Sequence, residues 1–114
     1  MVFSDPEIAA VGLTEQQARQ EGLDVAAAVI DLPDAIARPY TYEREPRGRL
    51  AIVVDRAQRV LVGAWAVAPL ASEWIHLAAL AIQARLSLEV LLDNVAQFPT
   101  YSEGYLSALE RLEL

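Results

Sequence analysis

The sequence predicts an α+β fold, an antiparallel sheet with helices packed on it. Two stretches rich in β-branched residues, Arg49–Asp55 and 59–67, are separated only by a short polar turn, the pattern of an antiparallel hairpin. Helical patterns of apolar residues follow over 71–85 and 102–112. At 114 residues the chain is expected to form one domain, residues 1–114, with a core of its own.

The chain is predicted to begin with an extended segment and a short helix. Residues 2–3 and 8–11 flank the irregularity of Asp5-Pro6-Glu7. Thr14 and Gln17 form a capping-box pattern, and Gly22 fits the position just after the helix, which is expected to end at Glu21.

The next segments are predicted to be a strand and a loop. Residues 24–32 are rich in Val, Ile and Ala and indicate a buried strand. Residues 33–48 contain three prolines and six charged residues, so we expect a long loop with at most a helical turn near 35–38. Gly63, inside the second hairpin strand, indicates a bulge or a close backbone approach.

The helix over 71–85 is apolar almost all round. Pro69 and Ser72 introduce it, and a helix of this kind is buried on two sides. In so small a domain one side is expected to be the sheet and the other a second subunit. Ser87 is expected to cap a shorter helix from 88 to about 92.

The segment Gln97-Phe98-Pro99-Thr100-Tyr101-Ser102-Glu103 is a tight link between helices. Pro99 restricts Phe98 to extended or turn geometry. Ser102 is predicted to cap the last helix, with Glu103 in its first turn. A presented aromatic side chain and a carboxylate at a helix start follow from this pattern.

Composition narrows the function classes. The apolar share is 54%, above the usual value, so either many alanines are exposed on helices or a partner chain covers an apolar surface. The net charge of −7, without basic clusters, argues against nucleic acid and against an anionic membrane surface. No apolar run is long enough to span a bilayer and nothing at the N-terminus resembles a signal peptide, so a cytoplasmic protein is expected.

Few side chains offer catalytic chemistry. The chain has no cysteine and a single histidine, His76, which excludes a multi-histidine or Cys-based metal site. The spacing of the five glycines forms no nucleotide-binding motif, so no cofactor site is predicted in this chain. Glu73 and Glu103 are explained most simply as favourable charges at helix starts, and His76 as a structural or interface residue.

Three motifs stand in order along the chain. The first is Phe3-Ser4-Asp5-Pro6-Glu7-Ile8-Ala9-Ala10-Val11-Gly12-Leu13-Thr14-Glu15. The second is Leu61-Val62-Gly63 followed by Ala71-Ser72-Glu73-Trp74-Ile75, and the third is Phe98-Pro99-Thr100-Tyr101-Ser102-Glu103. Together they resemble the C-terminal dimerisation domain of the pyridine nucleotide–disulfide oxidoreductases, the family of glutathione reductase, dihydrolipoamide dehydrogenase and mercuric reductase.

The resemblance implies an interaction module of an FAD-dependent NAD(P)H oxidoreductase. Complete members carry FAD- and NAD(P)-binding domains before this one, and the chain is expected to be a domain separated from them and inactive alone. A homodimer is implied, with Glu73, Trp74, His76, Leu77 and Leu80 as interface residues. The loop at Phe98 and Pro99 is implied to reach the FAD of the other subunit, with a cis peptide bond between these two residues.

One departure from the family concerns proton transfer. The family's third motif begins with an acid–base histidine, and Phe98 stands at that position here. Glu103 matches the glutamate that orients the histidine and is left without its partner. Relatives with an aromatic residue at this position, such as soluble transhydrogenase, dispense with disulfide chemistry, so the parent enzyme is expected to reduce a quinone, a nicotinamide or a similar acceptor.

Two other functions remain open at the level of sequence. The chain could be a stand-alone small α+β module that binds a ligand or protein and has no redox activity. An enzyme complete within these residues is the weakest alternative, because no nucleophile, metal site or nucleotide loop can be assembled.

Overall fold

The structure is a computed structural model that describes residues 5–93 and 98–112. Its strands are β1 (Glu7–Gly12), β2 (Val25–Asp31), β3 (Arg49–Asp55) and β4 (Val60–Ala68). Its helices are α1 (Glu15–Gln20), α2 (Leu32–Ala35), α3 (Arg38–Tyr42), α4 (Ala71–Gln83), α5 (Leu88–Asp93) and α6 (Glu103–Glu110). Residues 2–3 of the predicted opening strand lie outside the described residues.

The four strands form one antiparallel sheet in the order β1-β4-β3-β2. Helices α4 and α6 pack on one face, α4 over β1 and β4 and α6 over β2 and β3. The predicted α+β class and the β3–β4 hairpin are therefore confirmed. The strand predicted over 24–32 is present as β2, but it is an edge strand and is buried on one face only, because Ala27, Val29 and Asp31 are exposed.

Gly63 lies at both a bulge and a close backbone approach, as predicted. The β3–β4 register changes after the pair Val53–Gly63, so that Val54 pairs with Leu61. A Cβ at Gly63 would collide with the carbonyl oxygen of Leu13. Glycine is therefore required where the chain leaving β1 crosses β4.

Segment 33–48 differs from the predicted loop, because α2 and α3 each form a short helix within or next to it. Both helices carry a proline at one of their first two positions. Proline fits there because its missing N–H is one that has no partner within the helix, and its φ is already helical. The prolines thus start helices that the sequence pattern attributed to a loop.

Much of the alanine content lies in the interface between α4 and the sheet. Ala64, Ala66 and Ala68 of β4 and Ala71, Ala78 and Ala81 of α4 are all buried in the main core. Small side chains let a helix approach a strand closely. The high apolar share is thus explained partly inside the chain, while some larger apolar side chains remain exposed, among them Ile8, Val29, Leu80 and Val90.

The helix ends agree with the sequence predictions to within a few residues. Thr14 and Gln17 form the predicted capping box of α1, and Gly22 follows with φ +81°. The Ser87 hydroxyl accepts a hydrogen bond from the Val90 N–H at 3.2 Å, as expected of a cap. Helix α4 ends at Gln83, two residues before the predicted end.

Candidate functional site

The loop before α6 presents Phe98 to solvent. Its side chain is 75% exposed, and its peptide bond to Pro99 is cis, as the resemblance implied. Gln97, at the start of the predicted loop, lies outside the described residues. The sequence therefore correctly predicted an aromatic side chain presented at this turn.

Glu103, not Ser102, closes the loop. Ser102 occupies the N-cap position of α6, as predicted, but its side chain makes no capping hydrogen bond. The Glu103 carboxylate instead accepts a hydrogen bond from the Thr100 N–H at 3.0 Å. A longer side chain in the first turn can reach back to this N–H, as the glutamate of a capping box does.

Tyr101 and Tyr105 anchor the loop and α6 to α4. The Tyr101 ring stacks on Trp74 with centroids 5.6 Å apart and planes inclined by 10°. Tyr105 meets Trp74 edge-on at 6.0 Å, and its hydroxyl donates to the Trp74 carbonyl oxygen at 2.8 Å. Burial raises the pKa of Tyr105 well above its ordinary value.

Trp74 lies inside this aromatic cluster rather than on the outer surface. It is 7% exposed, and its indole N–H donates to the Pro69 carbonyl oxygen at 3.2 Å. In the described chain it therefore supports the loop from beneath. The exposed part of α4 is formed by other residues.

Glu73, His76 and Leu80 form an exposed stripe along α4, which we call the α4 outer face together with the half-buried Leu77. These positions are spaced by three or four residues, so they share one side of the helix. Leu80 is 61% exposed. A groove lined by Leu77, Leu86, Val90, Leu91 and Asp93 continues the apolar surface toward α5.

Segment 38–43 contributes residues to the loop site that sequence reasoning missed. The Arg38 guanidinium carbon lies 5.4 Å from the ring centroid of Tyr42 and 5.9 Å from that of Tyr101. Tyr42 meets Tyr101 edge-on at 6.4 Å. These residues were assigned to a loop, and no periodic pattern in the sequence pairs them with Tyr101, 59 positions beyond Tyr42.

The geometry limits the chemistry of the site. A phenyl ring cannot accept or donate a proton, and one of the two Glu103 carboxylate oxygens accepts a hydrogen bond from a backbone N–H. Within 5–93 and 98–112, no group of three or more His, Cys, Asp or Glu side chains could hold a metal ion. In the same residues, no helix is long and apolar enough to cross a membrane.

Comparison with known proteins gives one consistent family. The model of the pyridine nucleotide-disulphide oxidoreductase dimerisation domain matches residues 1–109. A mercuric reductase of Staphylococcus aureus is 40% identical over 104 residues, which is 91% of this chain and 19% of that protein. A dihydrolipoyl dehydrogenase of Geobacillus stearothermophilus is 38% identical over 110 residues, 96% of this chain and 23% of that protein.

Solved structures agree with the sequence relatives. The HOCl-induced flavoprotein disulfide reductase RclA from Escherichia coli matches with a TM-score of 0.87 and 28% identity, over 96% of this chain and 25% of that one. LpdA from Mycobacterium tuberculosis matches with a TM-score of 0.84 and 32% identity, over 96% of this chain and 23% of that one. The chain spans about a fifth to a quarter of the length of these relatives. A stand-alone binding module is not favoured by these matches.

Proposed function

Because the chain belongs to the pyridine nucleotide-disulphide oxidoreductase family, as its dimerisation domain, we propose that it joins two subunits of an FAD-dependent NAD(P)H oxidoreductase. In this proposal the FAD- and NAD(P)-binding domains belong to the same parent chain, in the cytoplasm. The loop at Phe98 and Pro99 extends toward the FAD of the partner subunit. The exposure of Phe98 on a loop held by Glu103 and Tyr101 is the observation that carries the proposal.

The homodimer contact is assigned to the α4 outer face. Glu73, His76, Leu77 and Leu80 are the contacting residues in this proposal, and Trp74 supports them from the core. Support comes from the exposed Leu80 and from the groove beside Leu77, which together leave apolar surface uncovered on one side of the helix. In a two-fold interface the same surface meets its own copy, so one helix face can supply both halves of the contact.

The Phe98 side chain fits a planar cofactor ring. An exposed aromatic ring at a loop tip offers a flat apolar surface, and aromatic systems prefer offset-stacked or edge-on contacts. The flavin, when bound, supplies electron transfer between the nicotinamide and the acceptor. The contribution of this chain is to place the ring, to exclude water near it, and to hold the loop through the Glu103 to Thr100 hydrogen bond.

The proposed class of electron acceptor follows from the absence of an acid–base histidine at position 98. Disulfide reduction requires a proton to be delivered to a sulfur leaving group, and Phe98 has no proton to give. We therefore assign to the parent an acceptor such as a quinone or a second nicotinamide. No residue of the described chain takes part in covalent chemistry in this proposal.

The test is a Phe98→His substitution in the complete protein that carries this domain, assayed with NAD(P)H and either a quinone or a disulfide. Phe98→Leu is the matched control, since it removes the ring and adds no titratable group. We expect Phe98→His to change acceptor preference and to make quinone reduction depend on pH near neutrality, while Phe98→Leu adds no such pH dependence. If Phe98→His left both quinone reduction and disulfide reduction unchanged, position 98 would not determine which acceptor is reduced.

A further inference from the structure

Two buried side-chain oxygens lack a hydrogen-bond partner within the described residues, although one of them takes part in an ion pair. They are the phenolic oxygen of Tyr101 and the carboxylate oxygen Oε1 of Glu43. Tyr101 is only 3% exposed. Buried polar atoms are nearly always paired, because leaving one unpaired costs more than a hydrogen bond returns.

The contact between α3 and the loop places the segment that carries Glu43 next to Tyr101. Tyr42 packs edge-on against the Tyr101 ring, and Glu43 is the next residue along the chain. The Glu43 charge lies close enough to add to the effect of burial in raising the pKa of the Tyr101 phenol. The same Glu43 oxygen lies 3.5 Å from Arg47 Nε, and Arg47 also pairs with Asp5 at 2.6 Å.

We propose that one bridging water molecule accepts a hydrogen bond from the Tyr101 hydroxyl and donates one to the Glu43 carboxylate, and that this link positions the Phe98 loop. Tyr101 is three residues from Phe98, and its ring is already fixed by Trp74 on one side and Tyr42 on another. Ring packing alone still lets the phenol slide in its plane. A hydrogen bond at the far end of the ring removes that freedom, and so fixes where the exposed Phe98 lies.

The functional meaning of this link rests on the proposed function, in which Phe98 approaches a flavin. Tyr101 and Glu43 are positioning residues in that scheme, because neither is expected to touch the cofactor. The link itself can be examined in the 114-residue chain without flavin or partner. Its failure is therefore distinguishable from failure of the dimer or of the flavin contact.

The experiment uses fluorine NMR and amide exchange. The chain has two phenylalanines, so 4-fluorophenylalanine labelling gives two resonances, and Phe98→Leu identifies the one from Phe98. Tyr101→Phe keeps the stacked ring and removes only the hydroxyl. Glu43→Leu removes the acceptor, and Glu43→Gln retains an acceptor oxygen without the charge.

We expect Tyr101→Phe and Glu43→Leu to shift or broaden the Phe98 resonance in the same way and to speed exchange of the Thr100 amide about fivefold. Amides of the central strand β3 should keep their rates, since the change is local. Glu43→Gln should restore the resonance, and the double variant Tyr101→Phe/Glu43→Leu should resemble either single variant. Tyr40→Phe, which alters an exposed ring on the same segment, should leave the resonance in place.

An unchanged Phe98 resonance in Tyr101→Phe and Glu43→Leu would overturn the proposal, even if both variants lost global stability. Additive effects in the double variant would also overturn it, because independent effects mean that the two groups do not share a bond.

Discussion

The Glu7 carboxylate accepts two hydrogen bonds from Ser72, from its N–H at 2.9 Å and from its hydroxyl at 2.8 Å. This contact joins the start of β1 to the first turn of α4. The residue before α4, Leu70, has a left-handed backbone and makes no side-chain cap. Glu7 therefore supplies from another strand the acceptor that a helix start requires, and its charge is favourable there.

Loss of this cap is expected to lower stability. Glu7→Ala should reduce the free energy of unfolding by about 1–2 kcal/mol, as for other lost caps, and Glu7→Gln by less, because an amide oxygen can still accept. Urea unfolding measures both. Glu45→Gln, on an exposed carboxylate, is the control, and its free energy of unfolding should stay within about 0.5 kcal/mol of that of the unsubstituted chain. If the free energy of unfolding of Glu7→Ala did not differ measurably from that of Glu45→Gln, the contact would not stabilise α4.

Gly63 is expected to be the least replaceable glycine. An alanine there meets the Leu13 carbonyl oxygen, which is backbone and cannot rotate away. Gly63→Ala should cost at least about 3 kcal/mol of unfolding free energy, through forced movement of β1 away from β4. Gly22→Ala is the matched control, because its φ of +81° is strained for alanine but nothing lies within 4 Å of the added atom. It should cost about 1–2 kcal/mol. Equal costs for the two variants would argue against the close approach.

Stability is expected to fall at alkaline pH because of the buried tyrosines. Burial raises the pKa of Tyr105 in the folded chain, so above about pH 10 the unfolded chain loses this proton first. The stabilising contribution is complete below that pH and is lost as pH rises toward the raised folded value, by up to about 1.4 kcal/mol per pH unit. Urea unfolding as a function of pH measures the slope. Tyr105→Phe should be less stable at neutral pH, since its bond to Trp74 is lost, yet show a shallower alkaline slope. If the unfolding free energy of Tyr105→Phe fell with alkaline pH as steeply as that of the unsubstituted chain, Tyr105 would not be the cause of the slope.

The elements that the sequence predicted well are those set by local pattern. The β3–β4 hairpin, the capping box of Thr14 and Gln17 and the glycine at the bulge each depend on neighbours in sequence. The cap of α4 could not be found in this way, because Glu7 and Ser72 are 65 residues apart. The residues of the candidate site divide in the same way, into those recognised from local sequence and those brought together by tertiary packing. Phe98 and Glu103 were found from the loop sequence, whereas Arg38, Tyr42 and Glu43 reach it only through tertiary packing.

Solvent exposure was the least predictable property. The β2 sequence is apolar enough for a strand covered on both faces, yet β2 lies at the sheet edge and exposes Val29. Trp74 and Leu80 belong to the same apolar helix pattern, yet the first is buried in the aromatic cluster and the second is 61% exposed. Which apolar positions face outward depends on the order of strands and on the place of α6, and neither is encoded in local periodicity.

In the proposed homodimer, the α4 outer face joins two copies of the chain. Leu80 on this face and Val29 on β2, at the sheet edge farthest from β1, are both exposed, at 61% and 53%. Substituting each with aspartate makes a matched pair, because each change replaces an exposed apolar side chain with a charge. Burial of a leucine contributes about 1.5–3 kcal/mol, so its replacement at an interface has a large effect on association.

Sedimentation equilibrium of the 114-residue chain and these two variants tests the claim most directly. We expect a dimer for the unsubstituted 114-residue chain and for Val29→Asp, with the dissociation constant raised at least about tenfold in Leu80→Asp. An unsubstituted chain that stays monomeric at high concentration would contradict the assignment of the dimer contact to the α4 outer face. A dimer that is dissociated by Val29→Asp and not by Leu80→Asp would also contradict it.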